Sequence, residues 1–359
     1  MSRFLADRYA SLVAYTPGEQ PTDMKYIKLN TNESPFPPSK GVLDAINTDS
    51  VSALRLYPDP DCGILKKKLA GLFGFEKENI FVSNGSDDIL NFSFMAFCNG
   101  AKCGVAFPEI SYGFYRVYAD LYGVDAKAIP LAEDFSVRAE DYLNIGRTVV
   151  IANPNAPTGI ALSKDTVEKI VASNPNNVVL IDEAYVDFGA ESCVDLVHRY
   201  DNLLVVRTYS KSYSLAGARL GFAIGSRELI EDLDKIKYST NPYNVNRLTL
   251  LAGAAAVDDN GYYMENCRKI EENRTYTTEA LTALGFEVLP SKANFVFARS
   301  PRIGGEELYL ALKKRGILIR HFKTEKIKEF NRITIGTLDE MKSLVAAVKE
   351  ILDASSDGI

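Results

Sequence analysis

Short apolar runs with no alternation constrain this chain most. Val178-Val179-Leu180-Ile181 and Leu203-Leu204-Val205-Val206 place apolar side chains on both faces of any strand they form. A strand with one wet face alternates polar and apolar residues, so such runs predict strands covered by protein on both sides. Similar runs occur at Ile80–Ser83, 104–107, Thr148–Ala152, Leu203–Thr208 and 220–224. Between them lie segments with helical spacing, such as 64–73 with its Lys-rich outer face and 86–97. Strands that alternate with helices predict an α/β fold with a mostly parallel central sheet flanked by helices.

The texture differs at both ends. The first 45 residues are rich in Pro and Tyr, and Pro35, Pro37 and Pro38 favour an extended arm. Beyond residue 250 a long helical stretch at 252–284 is followed by FEVLPSKANFVFAR, a helix near 306–315, ILIRHF, RITIG and a last helix near 339–352. That pattern predicts a smaller α+β domain. The expected division is an arm with part of the small domain over 1–45, a large domain over 46–250 and the small domain over 251–359. A length of 359 residues agrees with about two domains.

Composition excludes several classes. Hydrophobic residues make up 46% and charged residues 25%, enough for large cores and against disorder. The net charge of −6, with no long basic block, argues against a nucleic-acid partner. No apolar run approaches the roughly 18 residues of a membrane helix, and Asp7 and Arg8 interrupt any leader-like stretch. Five cysteines without a CxxC pair and two scattered histidines give no zinc spacing and no His-based triad. A cytoplasmic protein with reduced thiols and no metal is expected.

In an open parallel sheet, ligands bind beyond the carboxyl ends of the strands. The run at 178–181 ends in Asp182, with Tyr185 three residues on; the run at 203–207 ends in Thr208-Tyr209-Ser210-Lys211; Ile80–Ser83 ends in Asn84-Gly85-Ser86-Asp87. Singly, these are a turn cap, a surface lysine and an N-cap. Together they are what pyridoxal 5'-phosphate requires. An amine forms a Schiff base with its aldehyde, a carboxylate keeps its pyridine nitrogen protonated, and a helix start receives its phosphate.

IDEAYVDF (181–188), TYSKSYSLAGARLG (208–221) and NPNAPTG (153–159) resemble the aminotransferases of PLP fold type I. KLNTNESPFPPS, YPDP (57–60), GSDD (85–88), ANF (293–295) and RITIG (332–336) resemble, in this order, the histidinol-phosphate aminotransferase family. The similarity spans nearly the whole chain. It implies that Lys211 is the Schiff-base lysine and, once released, the base that moves the substrate proton. It gives Asp182 the pyridine nitrogen, Tyr185 the ring hydroxyl oxygen and Tyr112 the ring face. Ser86, Asp87, Ser210 and Arg219 would surround the phosphate, and Tyr57 would reach the cofactor of the other subunit of a homodimer. Arg332 would bind the acidic end of the substrate, helped by Arg320, Tyr15 and Asn32. One departure stands out: the family commonly has NPTG, and here Ala156 occupies the asparagine's place. Either Asn155 shifts in to meet the ring hydroxyl, or Tyr185 makes that contact alone.

The implied reaction takes L-histidinol phosphate and 2-oxoglutarate to imidazole acetol phosphate and glutamate, within histidine biosynthesis. The two amino donors present different anions, phosphate or carboxylate, and a guanidinium fork grips either. An aromatic aminotransferase or a threonine-phosphate decarboxylase on the same scaffold are the alternatives. A non-catalytic sensor module would need an added DNA-binding domain, for which 359 residues leave little space.

Overall fold

In the computed structural model, which describes residues 3–98 and 103–356, the chain enters through a largely irregular arm. Residues 1 and 2 of the expected arm, and 357–359 of the expected small domain, lie outside the described residues. The arm's strand β1 (Ile27–Lys28) pairs in parallel with Ile317–Leu318, which ties the arm to the C-terminal part of the chain. Two short helices, Lys40–Ala45 and Thr48–Ser52, follow.

Seven strands build the central sheet: β2 (Ile80–Ser83), β3 (Val105–Pro108), β4 (Ala126–Ile129), β5 (Thr148–Ala152), β6 (Val179–Asp182), β7 (Leu203–Thr208) and β8 (Gly221–Gly225). Their order is β2-β8-β7-β6-β5-β3-β4. β8 runs antiparallel to both its neighbours, and the remaining pairings are parallel. The apolar runs feed two cores. Val179, Ile181, Leu203 and Val205 face one layer with Leu65, Leu69, Val167 and Ile170 from helices Gly63–Phe73 and Lys164–Ser173. Leu180, Leu204 and Val206 face the other, against Leu90, Tyr115, Tyr118 and Leu233. Each fully buried Val, Leu or Ile contributes about 1.5–3 kcal/mol of apolar burial, and sandwiching the sheet doubles the number of such positions per strand. That is why these runs lack polar residues.

The C-terminal part carries β9 (Glu287–Val288), β10 (Phe295–Arg299), β11 (Ile317–Leu318), β12 (Arg320–His321) and β13 (Asn331–Thr334). Four of them form an antiparallel sheet in the order β12-β13-β10-β9. Val296, Ile333, Leu308, Leu344 and Val348 build its own core with helices Gly305–Lys314 and Leu338–Ser356. The helical stretch expected at 252–284 is two helices, Arg247–Asp258 and Asn260–Ala283. They break at Asp259, whose carboxylate accepts from the Gly41 backbone N–H at 3.0 Å. Ala252, Ala256 and Val257 belong to the large-sheet core, whereas Ile270 and Leu281 belong to the C-terminal one. No helix among the described residues is long and apolar enough to cross a membrane.

Candidate active site

Because the strands are parallel, the carboxyl ends of β2, β6 and β7 open on one side, and β8 brings its start to the same place. Gly221 pairs with both Ser83 and Thr208. A Cβ on Gly221 would lie 2.5 Å from the Gly85 carbonyl carbon and the Ser86 nitrogen, so only glycine lets these loops meet. Gly85 itself has φ +86°, and a Cβ there would lie 2.8 Å from Arg219 Nη2. The missing side chain leaves the first turn of helix Ser86–Ser93 uncapped from that position. Its free N–H groups and its dipole suit an anion.

A cavity of about 440 Å³ opens there, lined by Ser86, Asp87, Tyr112, Asp182, Tyr185, Ser210, Lys211 and Arg219 among others. A second lobe of about 410 Å³ shares Thr31, Tyr112, Ala156, Tyr185 and Lys211 with it and adds Tyr15, Asn32, Arg320 and Arg332. The structure thus gathers into one cleft residues that the sequence scatters over more than three hundred positions.

Asp182 is buried, 4% exposed. Its Oδ2 accepts from the Tyr115 hydroxyl at 2.8 Å and its Oδ1 from the Ala184 N–H at 3.2 Å. Burial pushes its carboxyl up to about 6 despite these two donors. Lys211 Nζ donates to the Thr31 carbonyl at 3.2 Å. Desolvation, then the Arg332 charge, lower its amine to about 8, close to the range where it can both hold and release a proton. Tyr185 accepts from Asn32 Nδ2 at 2.9 Å, which leaves its own proton to donate, and burial holds that proton on. At the helix start, Arg219 donates to Asp87 Oδ2 at 3.0 Å and to Ser210 Oγ at 3.3 Å. Tyr112 donates to Asp87 Oδ1 at 2.7 Å. Asp87 therefore holds Arg219 and Tyr112 in place, and the cation and backbone donors face the cavity.

Arg332 lies on β13, directly opposite Arg320 on β12. Its Nη2 donates to the Asn30 carbonyl at 3.0 Å, while its buried Nε has no hydrogen-bond partner among the described residues. Arg320 donates to the carbonyls of Thr16 and Pro17 at 3.2 and 3.3 Å, and the Tyr15 ring stacks on Phe114 at 4.3 Å.

Two sequence candidates do not enter this chain's own cleft. Asn155 is fully buried, donating to the Ile110 carbonyl and Thr158 and accepting from Ser111, and Ala156 lines the cavity instead. The Asn155 amide is spent on the loop, and Tyr185 lines the cavity. Tyr57 is 78% exposed and stacks on Tyr243 at 4.7 Å.

The donor set fits pyridoxal 5'-phosphate: an amine, a buried carboxylate and a helix start flanked by Arg219 surround one cavity, and Gly85 and Gly221 let the loops that carry them meet. Residues 24–348 match the model for aminotransferase class I and II. The chain belongs to the class I and II aminotransferases. It is 50% identical to the histidinol-phosphate aminotransferase of Brachyspira hyodysenteriae over 98% of this chain and 99% of that one. Its identity to the Marinomonas sp. enzyme of the same name is also 50%, over 98% of this chain and all of the other. The crystal structure of histidinol-phosphate aminotransferase from Sinorhizobium meliloti in complex with pyridoxal-5'-phosphate superposes with a TM-score of 0.82. It is 26% identical and covers 92% of each chain.

Sequence reasoning missed three residues of this aminotransferase cleft. Thr31 and Glu33 lie in the arm segment that closes over Lys211, inside the quoted KLNTNESPFPPS motif. Tyr115, behind the cavity wall, holds Asp182, and a signal for it was present: Tyr115 and Tyr118 stand three residues apart on helix Phe114–Tyr122, just after Tyr112.

Proposed function

We propose that the chain transfers the amino group of L-histidinol phosphate to 2-oxoglutarate, giving imidazole acetol phosphate and glutamate, with pyridoxal 5'-phosphate held on Lys211. The observation that carries this is that Lys211 and Asp182, from different strand ends, line one cavity. When bound, the cofactor supplies an electron-accepting ring that stabilises negative charge on the carbon beside the substrate nitrogen. Asp182, ionised above about pH 6, would hold the proton on the ring nitrogen. Tyr185 would donate to the ring hydroxyl oxygen and Tyr112 would cover a ring face. Ser86, Asp87, Ser210 and Arg219 would frame the phosphate. Lys211, with its amine lowered to about 8, would take a proton from the substrate carbon and return it one position away.

Arg332 supports an anionic substrate arm. A buried N–H without a partner is costly, and an arriving phosphate or carboxylate satisfies it. Arg320, Tyr15 and Asn32 would complete that lobe, Asn32 by fixing Tyr185. We read the working unit as a cytoplasmic homodimer, with the exposed Tyr57 reaching the phosphate end of the other subunit's cleft. We also read the chain as a large domain over 46–250 and a small domain over 251–359 with the arm, helix Arg247–Asp258 crossing that boundary and packing on the large-sheet core.

The test is direct. Incubated with cofactor, L-histidinol phosphate and 2-oxoglutarate, the purified protein should form glutamate and lose both substrates in equal amounts. No glutamate from a cofactor-loaded sample overturns the reading, and carbon dioxide released from O-phosphothreonine would replace it with a lyase.

A further inference from the structure

Behind the cofactor cavity lies a second one of about 420 Å³, lined by Lys28, Ser34, Ser214 and Glu340 among others. Glu33, Ser210, Ala216 and Gly217 line both, so they form the partition between them. Glu33 is the acid in that partition. Its Oε1 accepts from Lys28 Nζ at 2.7 Å and its Oε2 from the Thr31 hydroxyl at 2.7 Å. Thr31 is also the residue whose carbonyl receives Lys211 Nζ at 3.2 Å. One residue therefore links the carboxylate to the amine, by its hydroxyl on one side and its carbonyl on the other.

The charges around Lys211 come from four elements. The phosphate end gives Arg219 and Asp87, which pair with each other at 3.0 Å. β13 gives Arg332, and the end of β6 with the turn after it gives Asp182 and Tyr185, whose ring centre is 5.9 Å from Nζ. The arm gives Glu33. With Arg219 and Asp87 opposing one another and the Asp182 oxygens engaged by the Tyr115 hydroxyl and the Ala184 N–H, Glu33 is the counter-charge that opposes Arg332 at the amine. Burial alone would raise the Glu33 carboxyl, but the Lys28 and Thr31 hydrogen bonds and the Lys28 and Lys211 charges hold it below its ordinary value.

We propose that Glu33 is a positioning residue for Lys211: through Thr31 it fixes the carbonyl on which the free amine rests, and its Lys28-held carboxylate is the counter-charge that lets this amine keep a proton beside Arg332. It deepens the assignment of Lys211 made above and rests on it.

The free amine is present in the holoenzyme once glutamate has converted the cofactor to its aminated form. In that state, cyanate should carbamoylate Lys211 with a pH midpoint readable from the Lys211 peptide by mass spectrometry. Glu33→Gln removes the counter-charge and should move the midpoint down by about half a unit or more. Lys28→Met leaves Glu33 charged but without its other cation, and should move the midpoint up. A merely structural role would loosen the arm in both variants and shift both the same way. Opposite displacements support the proposal; a shared direction or an unmoved midpoint in either variant overturns it. Borohydride reduction of the glutamate-free holoenzyme separates the two levels. A cofactor label absent from the Lys211 peptide refutes the site assignment itself, whereas a label present with midpoints that do not diverge refutes only the role of Glu33.

Discussion

Replacing Tyr115 by Phe deletes one buried hydroxyl and should move the pH at which the cofactor is held. Tyr115 is 0% exposed and donates to Asp182 Oδ2 at 2.8 Å. Burial is the main force on Asp182, raising it from 3.8 to about 6, and the Tyr115 hydrogen bond is the largest effect opposing it. A hydrogen bond to a charged group is worth about 1.5–3 kcal/mol, and one pKa unit corresponds to about 1.4 kcal/mol. Loss of the donor should therefore raise Asp182 by about one to two further units. The carboxylate is the form that pairs with a protonated ring nitrogen. In the wild type, cofactor affinity should hold through neutral pH and fall about tenfold per unit below about pH 6. In Tyr115→Phe the fall should begin at roughly pH 7–8.

The stability of the apo-protein runs the opposite way with pH. A carboxyl raised on folding stabilises the fold fully only below its unfolded value, and that contribution is lost as pH rises through the folded one. For Asp182 the window runs from 3.8 to about 6, and the apo-protein is less stable above it by about 3 kcal/mol. Equilibrium binding of cofactor to apo-protein across the acid, neutral and mildly alkaline range reads the first effect, and thermal melts read the second. A folded Tyr115→Phe protein whose affinity breaks at the wild-type pH would refute the reasoning.

Three further outcomes are expected. Lys211→Ala should lose the yellow absorption of the bound cofactor and at least about a hundredfold of turnover, read by spectrum and glutamate release. Arg332→Lys should weaken both half-reactions by roughly 10–100-fold, because a single ammonium cannot reproduce the guanidinium fork; stopped-flow measurement with each amino donor checks this. Gly85→Ala combines a disfavoured φ of +86° with a Cβ 2.8 Å from Arg219 Nη2. It should lower the melting temperature by an amount equivalent to about 1–3 kcal/mol and loosen the cofactor on dialysis.

Much of this architecture was legible because burial on both faces of a sheet leaves a plain mark. Ile80–Ser83, Thr148–Ala152 and Leu203–Thr208 fall at the limits their apolar runs suggested. Ala126–Ile129 carried no such mark: it is an edge strand, its Lys127 and Ala128 are exposed, and nothing in AKAI requires a strand. The split at Asp259 was hidden for another reason. Its partner is Gly41, more than two hundred residues away, and local periodicity holds no information about such a contact. The site divides in the same way. Lys211, Asp182 and the Gly85 turn stand at strand ends, where topology alone directs attention, while Glu33 and Tyr115 act through other residues and look like a surface acid and a core ring.

The two arginines of the substrate lobe, alike in sequence, differ in what a ligand must displace. Arg320 already donates to the Thr16 and Pro17 carbonyls, so an anion that binds it must compete with the arm for the same hydrogens. Arg332 keeps a buried Nε with no hydrogen-bond partner among the described residues; it donates to Asn30 through Nη2 and lies over the Phe295 and Phe322 rings. An anion there gains a donor without breaking a bond, and desolvation strengthens that gain. Arg332 should then govern substrate affinity, while Arg320 couples the arm carrying Tyr15 to whatever anion is bound. Arg320→Lys should accordingly leave most of the affinity for glutamate and raise the protease sensitivity of the arm around Thr16, whereas Arg332→Lys should do the reverse. Equal loss of affinity in both variants, with the arm unchanged, would show that the two guanidinium groups act as one clamp.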